Sequence, residues 1–184
     1  MQIEIHNYLS CSHLLESQSG AWDSIVILDS SLSESEFVRQ NSKRSLQLQF
    51  DDITQNLEQK ILPSENAIRS ALDFANESQK LIVCCRAGQS RSSATAFSIA
   101  FEKFGEQFAL DLLNPKRHSP NHFILQIADK LIERLGLLNA YDNWGYNIGD
   151  IRLTDHLDEI ESEYDQLESI GARDRISNTL GNAR

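Results

Sequence analysis

The pattern of apolar and polar residues predicts short strands that alternate with helices. Residues 24–28 and 81–84 are almost unbroken apolar runs, which are typical of parallel strands buried on both faces. Residues 2–6 and 46–50 alternate between polar and apolar positions and predict two further strands. Strands separated by helical stretches imply an α/β fold, with a mainly parallel central sheet of about four to five strands flanked by helices.

The segments between and after these strands carry apolar residues at helical spacing. Ser10 or Ser12 is the predicted N-cap of the first helix, and Pro63 with Ser64 marks the start of the second. The last helix of this part carries an apolar stripe that extends to Leu135. The predicted helices cover about residues 10–18, 64–75, 92–104, 106–113 and 120–136. Residues 29–45 are predicted as a loop, with or without one turn of helix, and residues 141–150 as turns.

The composition changes after residue 138. From residue 153 onward, apolar residues recur every three or four positions between acidic ones, which predicts an extra C-terminal amphipathic helix. This helix either packs on its own domain or, through residues 153–170, contacts a partner or a second copy of the chain. The predicted division is a main domain at residues 1–138, an extension at residues 139–171 and a disordered tail at residues 172–184.

The overall composition is that of a single modest domain. With 184 residues, of which 40% are hydrophobic and 24% charged, the chain can bury one sizeable core. No apolar run reaches about eighteen residues, and no basic start precedes an apolar stretch, so neither a membrane span nor a secretory signal is expected. Three cysteines do not make a disulfide framework, which makes the reducing cytoplasm the expected compartment.

The charge balance of the chain excludes two classes of partner. The formal net charge is −10 at pH 7, and the isoelectric point is near 4.9. Nucleic acids and anionic membrane surfaces both bind proteins with a net basic footprint. We therefore expect neither a nucleic acid nor a membrane as a partner.

The strongest chemical signal is a Cys-x5-Arg segment between the buried strand at residues 81–84 and the helix that follows. A loop that ends at a helix N-terminus points backbone N–H groups inward, where they form a cradle for an oxyanion such as phosphate. Gly88 allows the chain to turn in that cradle, and Arg91 can hold two phosphate oxygens with its guanidinium group. The amide dipoles and this cation favour the thiolate form of Cys85, which is a nucleophile. The predicted phosphate-binding residues are Arg86, Ala87, Gly88, Gln89, Ser90 and Arg91.

This loop and two other segments resemble the cysteine-dependent protein tyrosine phosphatases. The likeness is greatest to their compact dual-specificity branch and to related small predicted tyrosine phosphatases of bacteria. It covers about residues 1–138 and implies that they form a phosphatase-like catalytic domain. The resemblance is carried by Cys85, Gly88, Arg91 and Ser92 in the loop, by LQLQFDDI at residues 46–53 and by RHSPNHFILQI at residues 117–127.

The resemblance implies a phosphatase that hydrolyses phosphomonoesters through a phosphocysteine intermediate on Cys85. Its substrate would be a phosphorylated protein, with phosphotyrosine first, or a small phosphomonoester, and no metal or organic cofactor is implied. Arg91 and the loop amides would stabilise the charge on the phosphoryl oxygens. Ser92 would hydrogen-bond the sulfur as it leaves, unless it is an ordinary serine at a helix N-terminus. The implied basic rim of the pocket consists of Arg86, Arg91, Lys116, Arg117 and His118.

The general acid of the reaction is expected some thirty residues before the cysteine. Asp52 is the first candidate because it follows a predicted strand much as the family's aspartate does, and Asp51 is the second. The alternative is that both are solvated carboxylates of a turn. By the same resemblance Asn121 would brace the loop, and capping of the following helix is an equally good role for it.

One position departs from the family pattern. Cys84 stands where the family usually has histidine just before the nucleophile. It could pack inside the sheet, leave the loop less firmly held than in the family, or act as a redox partner of Cys85, a role that Cys11 could also fill. Two alternatives to a phosphatase therefore stay open: a catalytically weak, phosphate-binding pseudophosphatase that acts as an interaction module, and a thiol redox protein.

Overall fold

A four-stranded parallel sheet forms the centre of the fold, as predicted for the α/β class. The computed structural model describes residues 1–149 and 153–177. The strands are β1 (Gln2–His6), β2 (Asp23–Leu28), β3 (Arg44–Gln49) and β4 (Lys80–Cys84). Their spatial order is β1-β4-β2-β3, so β4 lies inside the sheet with a neighbour on each side. All described strand pairs are parallel.

Helices cover both faces of this sheet because successive strand residues point to opposite sides. Ile25 and Ile27 of β2 face a larger core, whereas Val26 and Leu28 face a smaller one. The helices are α1 (Tyr8–Ser17), α2 (Glu36–Asn41), α3 (Glu65–Ala75), α4 (Arg91–Phe104), α5 (Glu106–Asp111), α6 (His122–Leu131), α7 (Leu137–Ile148) and α8 (Leu153–Ser169). Residues of α3 to α7 fill the larger core, and residues of α1 and α2 fill the smaller one.

The first helix begins earlier than the sequence predicts. Its N-cap is Asn7, whose side-chain oxygen accepts a hydrogen bond from the backbone N–H of Ser10 at 2.7 Å. The predicted caps, Ser10 and Ser12, therefore lie inside the helix. The capping residue directly follows β1, so the chain passes from strand to helix without an intervening loop.

The region around residues 132–148 also differs from the prediction. Helix α6 ends at Leu131, and Leu135, the predicted end of its apolar stripe, is 88% exposed. Residues 141–148, predicted as turns, belong to α7. Packing explains this helix: the rings of Tyr141 and Trp144 stack with centroids 5.8 Å apart, and Tyr141 also contacts Phe97 of the larger core. Asp150, the last residue of the predicted turn region, lies outside the described residues.

The C-terminal segment returns to the smaller core. Disorder was predicted from residue 172, but Ile176 is fully buried against α1 and the sheet, and the Arg175 N–H donates to Ser12 Oγ at 3.0 Å. Burial of this branched apolar side chain favours the ordered arrangement by about 2 kcal/mol. The rest of the predicted tail, residues 178–184, lies outside the described residues. None of the described helices is both long and apolar enough to cross a membrane.

Candidate active site

The Cys-x5-Arg segment connects β4 to α4 at the carboxyl end of β4. This end of a parallel sheet is where ligands bind in open α/β folds. Residues 85–90 form the connection, which we call the phosphate loop, and Arg91 is the first residue of α4. The structure thus places the segment on the predicted strand, loop and helix.

The backbone carbonyl groups and the backbone N–H groups of the phosphate loop differ in their hydrogen bonding. The carbonyl oxygens of Gln89 and Ser90 accept hydrogen bonds from the N–H groups of Ser119 and Asn121 at 3.1 and 3.2 Å. By contrast, none of the N–H groups of residues 86–90 donates to another residue in the described part of the chain. The C=O and the N–H of one trans peptide point in opposite directions. A run of free N–H groups before a helix is the arrangement that binds an oxyanion.

Gly88 is required by the close approach of this loop to the end of β1. Its φ angle is +66°, in the left-handed region that favours glycine. A Cβ atom at this position would lie 2.6 Å from the backbone nitrogen of Asn7 and 2.7 Å from the carbonyl carbon of His6. The N–H of Cys85 also donates to the His6 carbonyl at 3.3 Å. The shape of the loop therefore depends on the chain that leaves β1.

The structure brings Cys85 and Ser92 together. Cys85 Sγ lies 3.2 Å from Ser92 Oγ, and both side chains are buried. Ser92 is in the first turn of α4, so its hydroxyl reaches back to the sulfur across the loop. This distance allows the hydroxyl to donate to a thiolate, which is the contact predicted for this pair.

Arg91 is buried beside the same loop, and one of its N–H donors has no hydrogen-bond partner among the described residues. Its Nη1 donates to the Phe50 carbonyl at 2.8 Å, and its Nη2 lies 2.7 Å from Oδ1 of Asp29. The buried Nε has no partner among the described residues. Burial alone would lower the pKa of Arg91, but the neighbouring Cys85 and Asp29 groups raise it above its ordinary value. The guanidinium group is therefore a fixed cation with a free N–H.

Asp29 is the residue of this site that the sequence analysis missed. Its carboxylate bridges Arg91 and Arg86, whose Nε lies 2.6 Å from Oδ2. The hydrogen bond that Arg86 donates to Asp29 is the main reason why the pKa of Arg86 is raised. The sequence shows only that Asp29 directly follows a predicted strand, and it is the sheet order, with β2 beside β4, that brings Asp29 to Arg91. The carboxyl ends of adjacent parallel strands lie at the same edge.

The two candidate acids are placed very differently. Asp52 is exposed, and its Oδ1 accepts hydrogen bonds from Ser90 Oγ at 2.8 Å and from Asn121 Nδ2 at 2.7 Å. Asp51 is buried, and its oxygens accept from the N–H of Ile61 at 2.9 Å and from Lys60 Nζ at 3.2 Å. Of the two carboxylates, it is that of Asp52 that contacts the phosphate loop.

The hydrogen bonds of Asp51 change its acidity. Burial by itself would raise the pKa of this carboxyl, but the N–H groups of Ile61 and Ser30, together with Lys60, lower it from 3.8 to about 2. A carboxylate with so low a pKa stays ionised over the whole neutral range, whereas a general acid must carry a proton. Its contacts make Asp51 a support of the segment between Ser30 and Ile61.

We expect Asp51→Asn to destabilise the protein in a pH-dependent way. The folded pKa is lower than the unfolded one, so the stability from Asp51 is fully present above about pH 4 and is lost as the pH falls toward 2. The variant should lose about 1–2 kcal/mol of unfolding free energy at pH 7. Urea unfolding at pH 7 and pH 2.5 measures this, and the difference from the wild type should shrink at the lower pH. An equal difference at both pH values would contradict the assignment.

Asn121 makes both of the contacts considered for it. Its side-chain oxygen caps α6 by accepting from the N–H groups of Phe123 and Ile124 at 3.0 and 3.1 Å. Its side-chain amide donates to Asp52, and its backbone N–H donates to the Ser90 carbonyl. The residue thus connects the start of α6 to the phosphate loop and to the first candidate acid.

The predicted basic rim is smaller than expected. Arg86 and Arg91 adjoin the loop. Arg117 also reaches it by donating to the Ala87 carbonyl, but this residue is buried and its charge is paired with Glu163 at 2.6 Å. Burial and the charge of Arg117 lower the pKa of His118 to about 4, so its imidazole is neutral at pH 7. Two arginines, Arg86 and Arg91, therefore lie against the phosphate loop and share the carboxylate of Asp29.

Cys84 lies on the opposite face of the sheet from Cys85. Its side chain is completely buried in the smaller core with Cys11, whereas Cys85 faces the larger core. Burial, then a hydrogen bond with Cys11, raises the pKa of the Cys84 thiol well above its ordinary range. This environment favours the packing role among those considered for Cys84.

Comparisons with known proteins find similar folds among solved structures. No protein-family model matches the chain, and no curated protein matches it. The solved structures to which it is similar include three phosphatases, at 11–13% sequence identity. At this level of similarity, the residues of the site rather than the matches support a function.

The three structures align with most of the chain. PTPMT1 in complex with PI(5)P matches at 11% identity over 80% of this chain and 95% of its own, with a TM-score of 0.48. Tk-PTP in the active form matches at 13% identity over 78% and 91%, with a TM-score of 0.40. The Yvh1 phosphatase domain from Chaetomium thermophilum matches at 13% identity over 75% and 84%, with a TM-score of 0.35.

Proposed function

We propose that this chain is a cysteine-dependent phosphatase that hydrolyses phosphomonoesters, with protein phosphotyrosine as the first substrate class, through a phosphocysteine intermediate. One observation supports this most directly: the free N–H groups of residues 86–90 lie between the thiol of Cys85 and the buried guanidinium of Arg91. An anion cradle with a nucleophile at one end and a cation at the other suits phosphoryl transfer.

In the first step, the Cys85 sulfur attacks phosphorus, and the bond from phosphorus to the leaving oxygen breaks. The loop N–H groups and the free Nε of Arg91 stabilise the charge on the three remaining phosphoryl oxygens. Asp29 holds the other end of the guanidinium group, which keeps Arg91 in one orientation. Asp52 supplies the proton that the leaving oxygen takes up.

In the second step, water hydrolyses the phosphocysteine. The Asp52 carboxylate accepts a proton from the attacking water, the new oxygen–phosphorus bond forms, and the sulfur leaves with its electron pair. Ser92, 3.2 Å from the sulfur, donates a hydrogen bond to the departing thiolate. Inorganic phosphate is released, and both Cys85 and Asp52 return to their starting states.

The direct test is hydrolysis of p-nitrophenyl phosphate by the full chain under reducing conditions. We expect turnover that orthovanadate inhibits, because vanadate adopts the five-coordinate geometry of the transition state in such a loop. Binding of orthophosphate without any turnover would favour the pseudophosphatase instead. Absence of both turnover and phosphate binding would contradict the proposal.

The role of Asp52 predicts a dependence on the leaving group. Asp52→Asn should lower kcat about a hundredfold for phenyl phosphate but much less for p-nitrophenyl phosphate, whose leaving oxygen needs no proton. Steady-state kinetics with the two substrates measures this ratio. Asp51→Asn is the matched control, and its ratio of the two rates should equal that of the wild type. If Asp51→Asn alone changed the ratio, Asp51 would be the acid.

A further inference from the structure

Helix α8 of the C-terminal extension contacts the phosphate loop from outside. Tyr164 Oη donates a hydrogen bond to the Arg86 carbonyl at 3.1 Å. Glu163, the preceding residue, accepts from Arg117 Nε at 2.6 Å and from Asn7 Nδ2 at 3.0 Å. Arg117 in turn donates to the carbonyl of Ala87 through Nη2. Two successive loop carbonyls are therefore held by α8: that of Ala87 through Arg117, and that of Arg86 directly, together with the Tyr8 N–H, which donates to the same oxygen at 3.3 Å.

These carbonyls belong to the peptides that supply two of the free N–H groups. The Arg86 carbonyl shares a planar peptide with the N–H of Ala87, and the Ala87 carbonyl shares one with the N–H of Gly88. All described peptides are trans, so each N–H points away from its own carbonyl. A hydrogen bond that holds the carbonyl on the outside therefore orients the N–H toward the inside, where the oxyanion would bind.

The burial of these groups makes the contacts consequential. Arg117 is 8% exposed, and its Nη1 has no partner among the described residues. Without Glu163 the guanidinium would be a buried cation lacking its counter-charge, which is costly. Burial also raises the pKa of Tyr164, so its hydroxyl stays protonated at neutral pH and remains a donor.

We propose that Tyr164 and Glu163 are positioning residues of the phosphate loop, so that α8 is part of the catalytic unit. They orient the N–H groups of Ala87 and Gly88 and touch no reacting atom. The inference rests on the proposed phosphatase function. It gives the extension at residues 139–171 an intramolecular role, in place of the partner or dimer contact considered for residues 153–170.

The test compares three single variants in the full chain. Tyr164→Phe removes one hydroxyl, and Glu163→Gln removes one charge while it keeps the shape. Each should lower kcat/KM for p-nitrophenyl phosphate about fivefold, chiefly through kcat, because charge on the phosphoryl oxygens is greatest in the transition state. The matched control is Glu161→Gln, an exposed residue of the same helix, and it should keep the wild-type values.

A second measurement separates loop positioning from general stability and from the proposed function. Affinity for orthophosphate, measured by calorimetry, should fall in both variants. The melting temperature should change little in Tyr164→Phe and should fall in Glu163→Gln, where buried Arg117 loses its counter-charge. If the wild type binds phosphate without turnover, a weaker affinity in the variants still supports the positioning role although the phosphatase proposal fails. The positioning role would be overturned if both variants kept the wild-type kinetics and affinity, or if Glu161→Gln lost as much activity and affinity as they did.

Discussion

Replacement of Cys85 by serine is expected to abolish phosphomonoester hydrolysis, with a fall in kcat of at least about a thousandfold. The reason is chemical, because a serine hydroxyl is not ionised at neutral pH and is a far weaker nucleophile than a thiolate. The change is nearly isosteric, and Cys85 is buried in a well-packed position, so the fold should be kept. Turnover of p-nitrophenyl phosphate measures the loss.

Phosphate binding should survive in this variant. The loop N–H groups and Arg91 are unchanged in Cys85→Ser, so calorimetry with orthophosphate should still detect binding. Cys11→Ala is the control for loss of a thiol, because Cys11 lies in the smaller core on the other face of the sheet. It should lower stability by about 1 kcal/mol through lost packing and leave turnover unchanged. Equal activity in Cys85→Ser and the wild type would rule out a phosphocysteine intermediate.

Gly88→Ala is expected to have the second largest effect. The added methyl group would lie under 3 Å from backbone atoms of His6 and Asn7, which cannot rotate away as a flexible side chain could. The φ of +66° would also strain an alanine. The loop must therefore shift away from β1, which misplaces the N–H groups. We expect kcat to fall about a hundredfold and stability to fall by about 1–3 kcal/mol.

Gly145→Ala in α7 is the matched control for this substitution. A Cβ at Gly145 would meet no atom within 4 Å, and alanine is the better helix former. Activity should be unchanged, and the melting temperature should stay equal or rise. Kinetics, thermal unfolding and orthophosphate affinity of the two variants would be measured together. If Gly88→Ala kept wild-type activity, the contact of the loop with β1 would not be needed for the reaction.

The local pattern of apolar and polar residues predicted most of the fold, because helices and strands each impose their own spacing on the apolar positions. The four strands and the helices α3, α4 and α5 are found close to where alternation or helical spacing places them. The start of α1 differs because of a local cap at Asn7, whereas the errors at α7 and at the tail occurred where packing between elements decides the outcome. Helix α7 forms because Tyr141 and Trp144 find aromatic neighbours, and the tail continues as far as Ile176 because the smaller core accepts that side chain.

The residues of the candidate site divide in the same way, into those that local spacing identifies and those that only tertiary packing brings together. Cys85, Arg91 and Ser92 could be found from the sequence because one loop and the first turn of one helix carry all three residues at short spacing. Asp29 could not be assigned, since its link to Arg91 requires β2 and β4 to be neighbours in the sheet. Spacing alone could not distinguish Asp52 from Asp51, whereas their burial and their partners differ.

The sequence by itself determined the class of fold, the strand, loop and helix that carry the cysteine, and the chemistry that this loop can support. These properties depend on residues close together in the chain, where spacing and backbone geometry suffice. Only the tertiary structure added the distant groups Asp29, Glu163 and Tyr164 to the surroundings of the loop, and only it separated Asp52, which contacts the loop, from Asp51. Those contacts join segments far apart in sequence, and they exist only when the sheet order and the packed helices bring the segments together.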